Sequence, residues 1–270
     1  MSQPSYSELL DKLVPIAIAA GDAIMEVYAR DFSTLEKDDK SPLTEADVAS
    51  HNVIMAALQE LDPGTPILSE ESKTVPYETR KGWDRFWLVD PLDGTKEFIK
   101  KNGEFTVNIA LIENGEAVLG IVYAPALGRT TYAGARGVGS WMEREGNRQP
   151  ISALTYEGGV LRIVASRSHS GPETEAMVEN LRAKVGHVEL VSIGSSLKLC
   201  LVAEGKAHLY PRLGPTMEWD VAAAHAVVDG SGATMSDVDG NPFRYNKENL
   251  LNPFFIVSAP AVPLHDNKKV

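Results

Sequence analysis

One cysteine stands among the 270 residues, so no internal disulfide can form. That residue, Cys200, sits in the apolar run 197–202 with Lys198 as its only basic neighbour, which reads as a buried small hydrophobe and not as a nucleophile. Basic charge is also short. Lys and Arg number 26 against 37 Asp and Glu, a formal net charge of −11. This balance disfavours nonspecific binding to a nucleic-acid backbone, and an anionic ligand would need metal ions to be held. No stretch is apolar enough to span a bilayer, and residues 1–8 lack the basic start and apolar run of a signal peptide, so a cytoplasmic protein is expected. Internal repeats and low-complexity runs are absent too. His51, His187, His208, His225 and His265 fit no metal-ligand spacing.

What is present is an ordinary globular composition, 43% hydrophobic and 23% charged, long enough for one large domain or two moderate ones. Residues 7–29 place Leu10, Leu13, Val14, Ala17, Ala20, Ile24 and Val27 near the spacing of an amphipathic helix, which Pro15 is expected to kink. Residues 31–42 are polar, a mobile connection or a short hairpin. Thr44 then fits a helix N-cap, with Asp47 three residues on and an apolar face running to Leu61. A short strand at 66–68 leads into Ser69-Glu70-Glu71-Ser72, and a polar excursion fills 76–84. Helical turns at 96–102 precede an antiparallel meander with strands at 105–112, 117–124, 130–133 and 139–142, the first two joined by Asn114-Gly115. Polar residues 143–150 suggest a boundary between an N-terminal α+β subdomain, 1–148, and a C-terminal α/β subdomain, 149–270. In the second, strands at 161–165, 187–191, 207–210 and 254–258 alternate with helices at 172–184, 196–204 and 218–229. The expected class is α+β.

The chemistry concentrates in Trp87-Leu88-Val89-Asp90-Pro91-Leu92-Asp93-Gly94-Thr95. A short apolar run, readable as a buried strand, stops at a carboxylate and gives way to turn residues. Alone, such a segment is more often a plain turn. Two carboxylates at a strand end can nevertheless share hard divalent cations, because Mg²⁺ takes oxygen ligands and keeps positions for water and phosphate. Gly94 permits close backbone approach, and Thr95 adds a hydroxyl. Other acids stand at element ends: Asp47 at a helix start, Glu70 after a strand, and Asp220 in Met217-Glu218-Trp219-Asp220. Each by itself would serve as a cap or a surface acid. Glu71 either reaches a metal through water or faces solvent, the second being favoured.

Asp90-Pro91-Leu92-Asp93-Gly94-Thr95, Trp219-Asp220-Val221-Ala222-Ala223-Ala224 far downstream and Glu70-Glu71 upstream together resemble the lithium-sensitive, magnesium-dependent phosphatase superfamily that includes inositol monophosphatase and fructose-1,6-bisphosphatase. The resemblance covers essentially the whole chain. Within it, Gly94-Thr95-Lys96-Glu97-Phe98-Ile99, Val164-Ala165-Ser166-Arg167-Ser168-His169, Ser195-Ser196-Leu197-Lys198 and Leu209-Tyr210-Pro211-Arg212 are similar to bacterial 3′(2′),5′-bisphosphate nucleotidases of sulfur metabolism.

That resemblance implies a layered α-β-α-β-α sugar-phosphatase-like fold and a site for two to three Mg²⁺ ions. Glu70, Asp90 and the Leu92 carbonyl would hold one ion, Asp90, Asp93 and Asp220 a second, and a weaker third would lie near Glu70 through waters. Asp47 and Thr95 would orient and deprotonate the attacking water, and the amides around Gly94 and Thr95 would grip the scissile phosphate. Glu70, Leu92, Asp93 and Asp220 would border the substrate as well. Ser166, Arg167, His169, Ser196, Lys198 and Arg212 would meet the second phosphate, ribose or base of a phosphorylated nucleotide. The implied reaction removes the 3′-phosphate of adenosine 3′,5′-bisphosphate to give AMP, with 3′-phosphoadenylyl sulfate as a further substrate. The alternatives are an inositol- or sugar-phosphate phosphatase and a noncatalytic phosphate-binding module. A monomeric or homodimeric cytoplasmic enzyme is implied, with peripheral association at the inner membrane face left open.

Overall fold

Helix α1 (Tyr6–Tyr28) begins with a capping box between Ser5 and Glu8, and runs unbroken past Pro15, whose ring sits on the exposed side. The computed structural model describes residues 4–36, 42–73, 75–165 and 171–264. Strands β1 (Thr34–Glu36) and β2 (Pro42–Thr44) pair antiparallel, the hairpin option for this polar region. Thr44 then caps α2 (Glu45–Leu61).

The first sheet starts with β3 (Ile67–Ser69), and after the short α3 (Tyr77–Arg80) comes β4 (Arg85–Asp93), parallel to it. Helix α4 (Thr95–Ile99) interrupts before β5 (Thr106–Glu113), β6 (Glu116–Ala124), β7 (Thr130–Ala135), β8 (Gly139–Arg144) and β9 (Asn147–Ile151). Their order is β3-β4-β5-β6-β7-β8-β9, antiparallel from β4 onward. Two expectations need correction here. The central strand does not stop at Asp90 but continues through an irregularity to Asp93, because β5 keeps pairing with it. Residues 143–150, moreover, form the exposed edge hairpin β8–β9, so a division at 148/149 falls inside a strand. Polarity there reflects an open sheet edge.

The second sheet is built from β10 (Val160–Ala165), β11 (His187–Ser192), β12 (Leu209–Arg212), β13 (Thr234–Asp237) and β14 (Phe255–Ser258), ordered β11-β10-β12-β14-β13. Between them run α5 (Pro172–Val185), α6 (Leu197–Ala203) and α7 (Glu218–Gly230). On β4 the side chains alternate. Trp87 and Val89 join a core with α1 and α2, whereas Phe86 and Leu88 join one with α6, α7 and the second sheet. A third core sits between the second sheet and α5. The layers are therefore α-β-α-β-α, as expected, and the middle core draws on both halves of the chain.

Close approach of α7 to the first sheet depends on small residues. A Cβ at Gly120 of β6 would lie 2.1 Å from the Ala223 carbonyl oxygen, so the Ala222–Ala224 run lies directly on the sheet. This contact brings the start of α7 beside the end of β4. Among the described residues no helix is long and apolar enough to cross a membrane.

Candidate active site and metal centre

Three separate elements supply one carboxylate cluster. Glu70 follows β3, and its N–H donates to the Val89 carbonyl at 3.1 Å, so the parallel β3–β4 pair sets Glu70 next to Asp90. Asp90, 1% exposed, ends the regular part of β4. Asp220 lies in the first turn of α7 and accepts the Met217 N–H at 2.9 Å. One carboxylate oxygen from each of these residues lies within 4.8 Å of the others. Asp93 stands apart from that trio, accepting the Ser196 N–H from the segment before α6. Glu71 is half-buried and outside the trio, so it is less solvated than favoured above.

Local hydrogen bonds shape the irregular end of β4. The Leu92 N–H donates to Asp90 Oδ1 at 3.0 Å, and Ser50 Oγ of α2 donates to the Pro91 carbonyl at 2.7 Å. Gly94 then takes φ 96°, and a Cβ there would lie 3.0 Å from the Glu104 carbonyl oxygen and 3.3 Å from Ser195 Cβ. A side chain would be strained by conformation and by space alike.

Asp47 and Thr95 are joined by a hydrogen bond. Asp47, 2% exposed, accepts the Thr44 N–H and hydroxyl through Oδ2, both at 2.7 Å, and the Thr95 hydroxyl through Oδ1 at 3.2 Å. The capping box of α2 thus aims one carboxylate oxygen at the threonine.

Crowding raises the acids. Burial, then the charges of Glu70, Asp93, Asp220 and Asp47, push Asp90 well above the usual carboxylate range. Burial and Asp93 do the same to Asp220. Burial lifts Asp93 to about 6, with Lys198 and the Ser196 N–H opposing. Asp93 and Asp220 are enclosed by protein yet keep one side open to a cleft. Clustered, desolvated carboxylate oxygens of this kind fit a hard divalent cation, which would relieve the repulsion.

The residues expected at the nucleotide divide. Ser166, Arg167 and His169 lie outside the described residues. Ser196 is turned inward, its hydroxyl 2.9 Å from both Thr106 Oγ1 and Asn108 Oδ1, so its contribution is to the scaffold behind Asp93. Lys198 and Arg212 line a branch of the cleft.

Several contributors had weak signals in the sequence. Asn108 is a lone amide in an apolar strand, and its partner in register is Asp90. Glu218 is fully buried and accepts the backbone N–H groups of Asn246 and Lys247 at 2.7 and 3.0 Å. Arg80, 2% exposed, donates to Asn246 Oδ1 and the Lys247 and Glu248 carbonyls, bracing the same loop. His51, His208 and His225 bond to Ser69, the Arg162 backbone and Tyr245, while Cys200 is buried.

Residues 5–254 match the model of the inositol monophosphatase family. The 3′(2′),5′-bisphosphate nucleotidase CysQ of Escherichia coli strain K12 is 49% identical over 253 residues, spanning 93% of this chain and 99% of that protein. Its counterpart in Haemophilus influenzae is 34% identical, spanning 92% of each. Among solved structures, CysQ from Bacteroides thetaiotaomicron is 45% identical with a TM-score of 0.81, spanning 92% of this chain and 96% of its own. An inositol monophosphatase from Thermotoga maritima, 24% identical with a TM-score of 0.71 and spanning 93% and 92%, shares the fold.

Proposed function

The chain belongs to the inositol monophosphatase family, and from that membership we propose that it is a Mg²⁺-dependent 3′(2′),5′-bisphosphate nucleotidase, hydrolysing the 3′-phosphate of adenosine 3′,5′-bisphosphate to AMP and phosphate. The observation that carries this reading is the full-length likeness to curated nucleotidases. Likeness to inositol monophosphatases is lower and supports the fold alone. Turnover of 3′-phosphoadenylyl sulfate, action as a monomer or homodimer, and a cytoplasmic place in sulfur assimilation belong to the same proposal.

In this reading Glu70, Asp90 and the Leu92 carbonyl would hold one cation, Asp90, Asp93 and Asp220 a second, and Glu70 would support a weaker third through water. When bound, the cations neutralise the ester, acidify water and stabilise the leaving oxygen. The protein's own part is placement and proton transfer. Thr95 Oγ1 accepts a hydrogen bond from the attacking water and relays its proton towards Asp47, whose second oxygen stays tied to Thr44. Backbone N–H groups at Gly94 and Thr95 hold phosphate oxygens, in a turn whose packing the missing Cβ at Gly94 permits. Water oxygen bonds to phosphorus, the P–O3′ bond breaks, and the departing alkoxide takes up a proton.

The deciding experiment compares kcat/KM for adenosine 3′,5′-bisphosphate and inositol 1-phosphate at one Mg²⁺ concentration. Preference for the nucleotide is expected. Preference for inositol 1-phosphate moves the protein to the sugar-phosphate branch, and no phosphate release from either leaves a binding module.

A further inference from the structure

A strap at 246–252, in the connection between β13 and β14, grips the first turn of α7, and its hub is the fully enclosed side chain of Glu218. Glu218 Oε2 accepts the Asn246 N–H at 2.7 Å, and Oε1 accepts the Lys247 N–H at 3.0 Å and the Lys247 ammonium at 2.5 Å. From that ammonium a chain of hydrogen bonds runs to the carboxylate cluster. Lys247 Nζ donates to Asn252 Oδ1 at 3.3 Å, Asn252 Nδ2 donates to the Met217 carbonyl at 2.7 Å, and the Met217 N–H donates to Asp220 Oδ2 at 2.9 Å. Both backbone polar groups of Met217 are thereby fixed.

The strap is also tied to the first sheet. Arg80, in the connection from β3 to β4, donates through Nη1 to Asn246 Oδ1 and the Lys247 carbonyl at 2.9 and 2.6 Å, and through Nη2 to the Glu248 carbonyl at 2.8 Å. That connection begins at Glu70 and leads into the strand of Asp90, so the strap bridges the stretches that carry all three carboxylates of the trio. Stability alone is a weak reason for such a network. Well-packed apolar side chains in place of a buried ion pair are often as stable, whereas a fully satisfied polar network specifies one arrangement. What it specifies here is a carboxylate and the wall beside it, since Thr216, Met217 and Leu251 border the cleft together with Asp220.

We propose that Glu218, Lys247 and Asn252 are positioning residues that hold Asp220 in its metal-binding orientation, with Arg80 anchoring the strap. The inference rests on the reading of Asp220 as a cation ligand. Packing at Gly120 sets where α7 lies, and the strap sets how Asp220 is aimed. Breaking the chain leaves Asp220 bonded to a Met217 peptide that has lost a restraint on its other side. Partners that orient a metal ligand in this way typically account for about 10- to 100-fold in metal affinity.

The test measures Mn²⁺ binding by paramagnetic resonance, without substrate, for wild type, Lys247→Met, Asp220→Asn and the double variant. Lys247→Met should weaken binding about tenfold and should add nothing once residue 220 is an amide. Asn252→Ala breaks the same chain but leaves the Glu218 charge paired, so it should weaken Mn²⁺ likewise without the risk of a buried lone charge. Lys247→Arg, which keeps the charge, should recover part of the affinity. Thermal melts accompany each variant. A lowered melting temperature with unchanged Mn²⁺ affinity, or an equal loss in the Asp220→Asn background, overturns the positioning role and leaves the nucleotidase reading standing. Mn²⁺ binding untouched by Asp220→Asn overturns the metal reading and the strap's role with it.

Discussion

Withdrawing divalent cations should make this protein less stable as pH rises from 5.5 to 7.5, and Mg²⁺ should reverse that trend. The sign follows from the carboxylates. Asp93 titrates at about 6 when folded and near 3.8 when unfolded, and Asp90 and Asp220 are raised well above the ordinary range by burial and mutual repulsion. Between the unfolded and folded values the native state binds more protons, so its stability is full below the unfolded value and is lost as pH climbs through the folded one. One carboxyl kept protonated only in the native state contributes about 1.4 kcal/mol per pH unit. Over two units that is roughly 2.7 kcal/mol, and water entering the open side of the cleft brings it to ~1–1.5 kcal/mol. For a chain of this size the melting temperature in EDTA should fall by about 3–5 °C. Mg²⁺ at the proposed site should favour the ionised carboxylates and, at a hundred times its Kd, add about 2.7 kcal/mol, most fully at the upper pH. His51 and His208, held low by burial, gain stability up to their ordinary value and work against the slope. Calorimetry of wild type and Asp90→Asn, each with EDTA and with Mg²⁺, removes that contribution, because the variant keeps both histidines. A metal-free slope that is flat or rising, and identical in Asp90→Asn, refutes the reasoning.

Asp220→Asn should lose about 10²–10³ in kcat and need more Mg²⁺ for half-saturation, while staying folded, since the amide oxygen still accepts the Met217 N–H; an Mg²⁺ titration of initial rates checks this, and a near-normal rate contradicts it. Thr95→Val removes the hydroxyl on Asp47 and should lower kcat about 10²–10⁴ with little change in KM, whereas Thr95→Ser restores most of it. Millimolar Li⁺ should inhibit by displacing the weakly held cation, so inhibition should ease as Mg²⁺ is raised. Gly120→Ala drives a methyl group into the Ala223 carbonyl and should cost about 1–3 kcal/mol in urea unfolding, with weakened Mg²⁺ affinity because Asp220 rides on the displaced helix.

The legible parts of the fold were those with a period. Both early helices and the meander follow from residues spaced by 3.6 or 2, with Asn114-Gly115 marking a turn. Pro91 broke the pattern of β4, so its continuation to Asp93 was hidden, and β9, exposed along most of its length, carried no apolar signal at all. Burial of charge was equally hidden. Arg80 and Glu218 look solvated in sequence because their partners stand 166 and 28 residues away.

The carboxylates were legible as a set through family resemblance, yet their meeting has a cause that lies in none of them. Asp90 and Asp220 are 130 residues apart in sequence, and what closes the distance is a helix resting on a glycine. A bulkier residue at Gly120 would leave every ligand present and still open the cluster. Once these acids ionise with no cation bound, their repulsion acts in the same direction, pressing α7 away from β4. Packing at Gly120 and cation binding therefore oppose one repulsion from two sides. It follows that the two should be coupled: loosening the helix by Gly120→Ala and neutralising the charge by Asp90→Asn should not add in stability, the second offsetting part of the loss from the first. A double-mutant cycle in EDTA measures this directly, and strict additivity would mean that α7 is held by its apolar contacts alone.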